Sequence, residues 1–176
     1  DRVRSLTCIF THSGSRREQL MSPRVLKSIM PRAPRTREQA MDNAVSVFRA
    51  IGSPGYDIDE EGLRDIAGRA WDRGTNPRGV ARQLAAVVAQ RPRLRRLRRL
   101  KTPTLVVHGD ADPLIRPFCG RRLARAIPNA RFMLVPGMGH DLPPGLWPTL
   151  ADALSDHIQA QEAGGPRPGV TSRRAG

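Results

Sequence analysis

The sequence predicts an α/β fold with three strands and a helical segment inserted between the first strand and the second. Two short apolar runs, 104–107 and 132–135, each end in a loop of Gly, Pro and polar residues. A third β-rich run, 3–10, opens the chain. Between these, residues 16–100 show helical periodicity broken by Pro and Gly, with no further strand pattern.

The opening run, Val3-Arg4-Ser5-Leu6-Thr7-Cys8-Ile9-Phe10, reads as a buried strand. Thr11-His12-Ser13-Gly14-Ser15 turns at its end, where an open α/β sheet places ligand-facing loops, although an ordinary polar turn accounts for it as well. Thr36 with Glu38 and Gln39 marks a helix start, followed by an apolar face of Ala40, Ala44, Val47, Phe48 and Ile51. Asp59-Glu60-Glu61 sets acids in the first turn of a second helix, where the helix dipole favours them, and Leu63, Ile66, Ala67, Ala70 and Trp71 follow. Asn76-Pro77 caps a third helix with Val80, Leu84, Val87 and Val88 expected inward. Such consecutive amphipathic helices suit a lid. Leu94, Leu97 and Leu100 give a one-sided helix with arginines on its wet face.

Thr104-Leu105-Val106-Val107 leads directly into His108-Gly109-Asp110-Ala111-Asp112-Pro113. After a helical segment, Phe132-Met133-Leu134-Val135 leads into Pro136-Gly137-Met138-Gly139-His140. Two neighbouring strands thus each deliver a polar group, an acid and then a histidine, as a charge-stabilised histidine base requires. Asp110 and Asp112 both stand in the first of these loops as candidate acids. His108 is expected to shape its loop, Asp141 to stabilise the loop or the helix after it, and His157 to lie on the surface of a last helix at 146–161, whose Leu146, Leu150, Leu154 and Ile158 stand four apart. A Gly-, Pro- and Arg-rich tail, 163–176, is expected to be disordered.

Totals narrow the function classes. With 176 residues and 39% hydrophobic content the chain can form one domain with a real core, and no run is long and apolar enough to predict a membrane span. The net charge of +14 raises nucleic-acid binding. Against it, Lys27 and Lys101 are the only lysines, aromatics are 4%, and no stacking motif occurs, so no specific nucleic-acid partner is expected. Cys8 and Cys119 lie far apart without metal-ligand spacing, which predicts free thiols in a cytoplasmic protein and no metal or cofactor. The oligomeric state stays open.

The order strand, helical lid, strand, His-Gly-x-x-Asp-Pro, helix, strand, Pro-Gly-x-Gly-His, helix resembles the C-terminal part of the α/β-hydrolase family over about residues 1–160. Within that family, the runs PTLVVHGDADPLI and AIPNARFMLVPGMGHDLP, the Trp147 helix and Arg82-Gln83-Leu84-Ala85-Ala86 look most like bacterial carboxylic-ester hydrolases related to polyketide methylesterases. The resemblance implies a core strand and loop at 1–15, a lid and return helix at 16–100, and a core segment at 101–162 carrying the acid and the histidine. It implies a Ser-His-Asp triad with Asp112 as acid and His140 as base. Trp71, Met138 and Leu142 become candidates for an apolar substrate wall, although lid packing explains them too.

One member is missing. No Gly-x-Ser-x-Gly occurs, and Ser13-Gly14-Ser15 lacks its spacing. The start, Asp1-Arg2-Val3-Arg4, lacks an initiating Met and a signal-peptide pattern. Together these place the expected nucleophile upstream of Val3, leave the outer edge of strand 3–10 without its partner, and predict that this chain alone does not turn over esters. Other chemistries of the same architecture (epoxide hydrolysis, lactone hydrolysis, haloperoxidation) remain open, as does a non-catalytic binding module.

Overall fold

A computed structural model describes residues 3–30, 32–74 and 76–162. The tail 163–176 lies outside the described residues. Three parallel strands form one sheet in the order β1-β2-β3: β1 (Leu6–Ile9), β2 (Thr104–Gly109) and β3 (Arg131–Val135). Parallel neighbours need long crossovers. The β1–β2 crossover holds α1 (Pro23–Ile29), α2 (Arg37–Ile51), α3 (Glu60–Asp72), α4 (Pro77–Val88) and the single turn α5 (Leu94–Leu97). The β2–β3 crossover is α6 (Pro117–Ala126), and α7 (Trp147–Glu162) closes the described chain after a 3₁₀ turn at Pro144–Leu146.

β2 is the spine. All six of its residues are buried, and it pairs on both sides, Cys8 with Val106 and Val107 with Met133. Its side chains alternate between two cores. Leu105 and Val107 join Val135, Met138, Leu146 and Leu150 under α7. Val106 joins Leu123, Ala124 and Ile127 under α6, with Leu97 and Leu100 packed alongside.

β1 is shorter and less buried than the run 3–10 suggests. The Leu6 N–H donates to the Pro103 carbonyl at 2.9 Å, and the ladder ends at Phe10, whose φ of 50° turns the chain out of the strand. Among the described residues β1 pairs only with β2, so its outer edge is open and its residues are half-buried.

Two helix faces differ from the sequence expectation. Along α7, Leu150, His157 and Ala160 are buried while Ile158 is 46% exposed. Strict spacing of four overshoots a helical turn by about 40° each step, so a four-apart row rotates off the core within three steps. The inward row therefore passes through His157, which is buried with its Nε2 3.2 Å from the Leu6 carbonyl, instead of lying on the surface.

α4 differs more. Its N-terminus is well made, with the Asn76 side chain accepting from the Gly79 N–H and Pro77 in the first turn. Yet Val80, Leu84, Val87 and Val88, expected inward, are all exposed. Periodicity identifies an apolar face but not what covers it, and no other described element packs substantially against α4. Leu84→Ser should therefore change this chain's stability by no more than about 0.5 kcal/mol in a urea titration.

α2 and α3 pack together. Arg37 pairs with Asp72, Arg64 with Asp42 and Arg49 with Glu60 across their shared surface. These exposed pairs contribute little each. The apolar contacts of Val45, Ile51 and their neighbours carry the helical segment, as does close approach at Gly68, over which the Arg37 guanidinium lies. No described helix is long and apolar enough to cross a membrane.

Candidate active site

All three strands end at the same edge of the sheet, and the residues following them converge there. β2 runs out at Gly109, whose missing side chain is required: a Cβ there would stand 1.9 Å from the Met138 carbonyl oxygen. The two loops are thereby pressed together. The Asp110 N–H donates to the Val135 carbonyl at 3.1 Å and the Ala111 N–H to the Met138 carbonyl at 3.1 Å.

Asp112 is 3% exposed and fully engaged. Its Oδ1 accepts from the Leu114 N–H at 2.8 Å and the Ile115 N–H at 2.9 Å, which fixes the carboxylate plane. Its Oδ2 accepts from His140 Nδ1 at 2.8 Å. A carboxylate only accepts, so Nδ1 carries the proton, and in the neutral imidazole Nε2 keeps its lone pair. The His140 side chain is 22% exposed, against none for Asp112. A buried acid thus holds a partly exposed imidazole in one tautomer, a geometry suited to taking a proton at Nε2 and returning it.

The competing acid is committed elsewhere. Asp110 Oδ1 accepts from the Gly137 N–H at 2.7 Å and so ties the two loops together. His108 is buried, and its Nε2 donates to the Ile115 carbonyl at 2.7 Å, bracing the loop that carries Asp112. Asp141 bonds to Ser53 in the α2–α3 connection and not to the helix that follows it.

The three substrate-wall candidates are not brought together. Met138 is fully buried in the core beside Leu105 and Val107, because the Pro-Gly turn after β3 folds its side chain back under the sheet. Trp71 is half-buried near the end of α3. Leu142 is 46% exposed and lines an apolar groove with Phe48, Ile58, Leu63, Ile66, Pro143 and Trp147, of about 210 Å³.

Phe10 and Ser53 were not singled out by the sequence. The Phe10 ring centroid lies 4.9 Å from that of His140, tilted by 45°. A bulky side chain at positive φ is strained, and such strain concentrates at functional sites. Its only sequence signal is its place as the last apolar residue before a polar turn at the ligand-facing end of a strand.

That polar turn points inward. Ser13 is fully buried, and its hydroxyl donates to Glu18 Oε2 at 2.5 Å, joined there by the Ser13 N–H at 2.9 Å and the Ser15 N–H at 3.2 Å. Arg122 of α6 lies 3.5 Å from Glu18 Oε1 and donates to Ser15 Oγ at 3.0 Å, so the cluster fastens the β1 loop to α6. His12 accepts from the Gly14 N–H at 2.9 Å through Nδ1. Burial opposes ionisation of Glu18, but the bonds from Ser13 and Ser15 outweigh it and lower its pKa. Burial, reinforced by Arg93 and opposed by Glu18, lowers that of His12.

Both shifts have the same sign for stability. The unfolded chain protonates His12 near 6.5 and Glu18 near 4.5, before the folded chain does. Stability is therefore fully present above those values and lost as the pH falls from them through the lower folded ones. Urea midpoints should decline on acidification, and Glu18→Gln should flatten the limb below the ordinary Glu value. At the alkaline end burial, with Glu18 and Asp112 nearby, pushes the Cys119 thiol up to about 11. The unfolded thiol ionises first, near 9, so stability falls again as the pH rises from there. Among the described residues no group of three or more His, Cys, Asp and Glu could hold a metal ion.

Residues 3–143 match the α/β-hydrolase fold family. The chain belongs to that family. A curated relative, rhodomycin D methylesterase DauP of Streptomyces sp. (strain C5), is 32% identical over 129 residues, covering 71% of this chain and 42% of its own length. Among solved structures, a thermophilic esterase from Thermogutta terrifontis superposes with a TM-score of 0.63 at 23% identity, covering 92% of this chain and 57% of that one. The enol-lactonase of Burkholderia xenovorans LB400 gives 0.63 at 21%, covering 90% and 57%. The chain thus spans less than half the length of the curated relative. Its three parallel strands and helices correspond to a C-terminal part of the α/β-hydrolase fold.

Proposed function

We propose that the chain carries the acid and the base of a carboxylic-ester hydrolase, Asp112 and His140, and that the nucleophilic serine lies upstream of these residues. The observation that supports this most is the 2.8 Å bond from His140 Nδ1 to the buried Asp112, at the ends of adjacent strands. Asp112 holds the tautomer and stabilises the imidazolium. His140 Nε2 takes the proton of the attacking hydroxyl and then delivers it to the leaving alcohol.

The serines described near the site fit a structural role better than a nucleophilic one. The Ser13 hydroxyl is buried on Glu18, and that of Ser53 is bonded to Asp141 and Gly139. The substrate class to test first is a small apolar carboxylic ester, a methyl ester above all, by likeness to the methylesterase. The segment 16–100 acts as lid in this reading, and Leu142 is the wall candidate best placed to meet an apolar group. A cytoplasmic setting belongs to the same reading, supported by the free Cys8 and Cys119.

The test is hydrolysis of p-nitrophenyl and methyl esters by the isolated chain and by a form extended upstream to include a Gly-x-Ser-x-Gly segment. The isolated chain should be inactive, and the extended form active and silenced by His140→Ala. Robust turnover by the isolated chain, lost in His140→Ala, would overturn the upstream assignment of the nucleophile.

A further inference from the structure

The loop that carries His140 is fastened to the connection between α2 and α3 as well as to the loop after β2. The His140 N–H donates to the Ile51 carbonyl at 2.7 Å, at the last residue of α2. The Gly139 N–H donates to Ser53 Oγ at 2.8 Å, and the Ser53 hydroxyl in turn donates to Asp141 Oδ1. The Gly55 N–H donates to the Gly137 carbonyl at 2.9 Å. Four of five successive positions of the inserted segment, 51–53 and 55, therefore meet residues 137, 139, 140 and 141 at bonding or contact distance.

Ser53 is the centre of this clasp. It is 9% exposed, and its hydroxyl is the only side-chain group in the clasp that both accepts from one side of His140 and donates to the other. An hydroxyl can do this because it combines one donor with acceptor lone pairs. Neither bond touches the imidazole. Both fix the backbone on either side of it, and that backbone sets whether Nδ1 reaches Asp112.

We propose that Ser53 is a positioning residue that couples the seating of the inserted helices to the His140–Asp112 pair, so that the pair is held only while the α2–α3 connection is docked on the histidine loop. This rests on the hydrolase reading of His140 and Asp112 given above. It goes further in assigning the base's alignment to the inserted segment. Displacement of the lid segment would release the histidine, and closure would restore it.

The test uses the chain itself and needs no turnover. The hydrogen-bonded His140 Nδ1–H gives a downfield proton resonance, assigned by its loss in His140→Ala and in Asp112→Asn. In Ser53→Ala that resonance should broaden or vanish, and exchange of the Gly139 and His140 amides should accelerate at least tenfold. The Leu105, Val106 and Val107 amides should keep their protection. Ser53→Thr, which keeps the hydroxyl, should restore the signal. Asp141→Ala removes the other end of the clasp, is independent of how well Ser53→Ala folds, and should weaken the same signal. An unchanged resonance and unchanged amide exchange in a folded Ser53→Ala or Asp141→Ala would overturn the role of Ser53 while leaving the acid–base pair standing. Absence of the resonance in the wild-type chain, or its survival in Asp112→Asn, would sink the pair and this inference with it.

Discussion

Replacing Asp112 by Asn should cost the fold about 2–3 kcal/mol and reverse the His140 tautomer. The native carboxylate takes two backbone N–H groups on Oδ1 and the imidazole on Oδ2, with 3% of the residue exposed. Asn can keep the two backbone bonds with its carbonyl oxygen. Its amide NH2 then faces Nδ1, which must give up its proton to accept. The proton moves to Nε2, the nitrogen that the hydrolase reading needs free. Urea denaturation reads the stability loss, and imidazole ¹⁵N shifts read the tautomer. In a form carrying a nucleophile, turnover should fall on the order of 10⁴-fold. Asp110→Asn is the control. Its single described side-chain bond is to the Gly137 N–H, which an Asn carbonyl can still accept, so the loss should stay below about 1 kcal/mol with the tautomer unchanged. Equal effects at the two positions would mean that the acid has been misassigned.

The meeting of Asp112 with His140 is legible in the chain because each residue is placed locally, by an apolar run that ends in a Gly- and Pro-punctuated loop. The same locality makes β2, β3 and the starts of α2, α3 and α4 legible, down to the Thr36 and Asn76 side chains that cap α2 and α4, while Asp59, expected in the first turn of α3, is its cap. What escaped was set by distant partners. Ser53 and Asp141 stand 88 positions apart, and nothing near either residue announces the other. Phe10 looks like the end of a strand until its turned backbone places it against His140. Met138 lies in a loop motif that suggests exposure, yet the loop's close packing on Gly109 drives it into the core. The α4 face is apolar, as its periodicity predicts, but amphipathicity does not say whether a described neighbour covers it. His157 is buried because the true helical period, and not the even spacing of the leucines, sets the inward row of α7.

Gly139→Ala should have the second large effect, and on a different part of the site. A Cβ there would stand 2.0 Å from the Gly52 carbonyl oxygen and 2.7 Å from that of Ile51. Both are backbone atoms, so neither can swing aside as a side-chain tip could. The histidine loop must back away from the end of α2, which lengthens or breaks the His140 N–H bond to Ile51 and the Gly139 N–H bond to Ser53. Overpacking with loss of these bonds should cost about 3 kcal/mol. Because the clash lies outside the sheet, β2 amides should stay protected in proportion to the remaining global stability, while those of residues 139 and 140 exchange freely. Gly145, a few residues on, sets the comparison: a Cβ there meets only the edge of the Tyr56 ring, at 3.4 Å. Gly145→Ala should therefore melt close to the wild type. If the two alanine variants unfold at the same urea concentration, the close approach of Gly139 to α2 is not what holds the histidine loop. If they separate as expected, the position of His140 depends on the inserted helical segment as well as on the strand that delivers it.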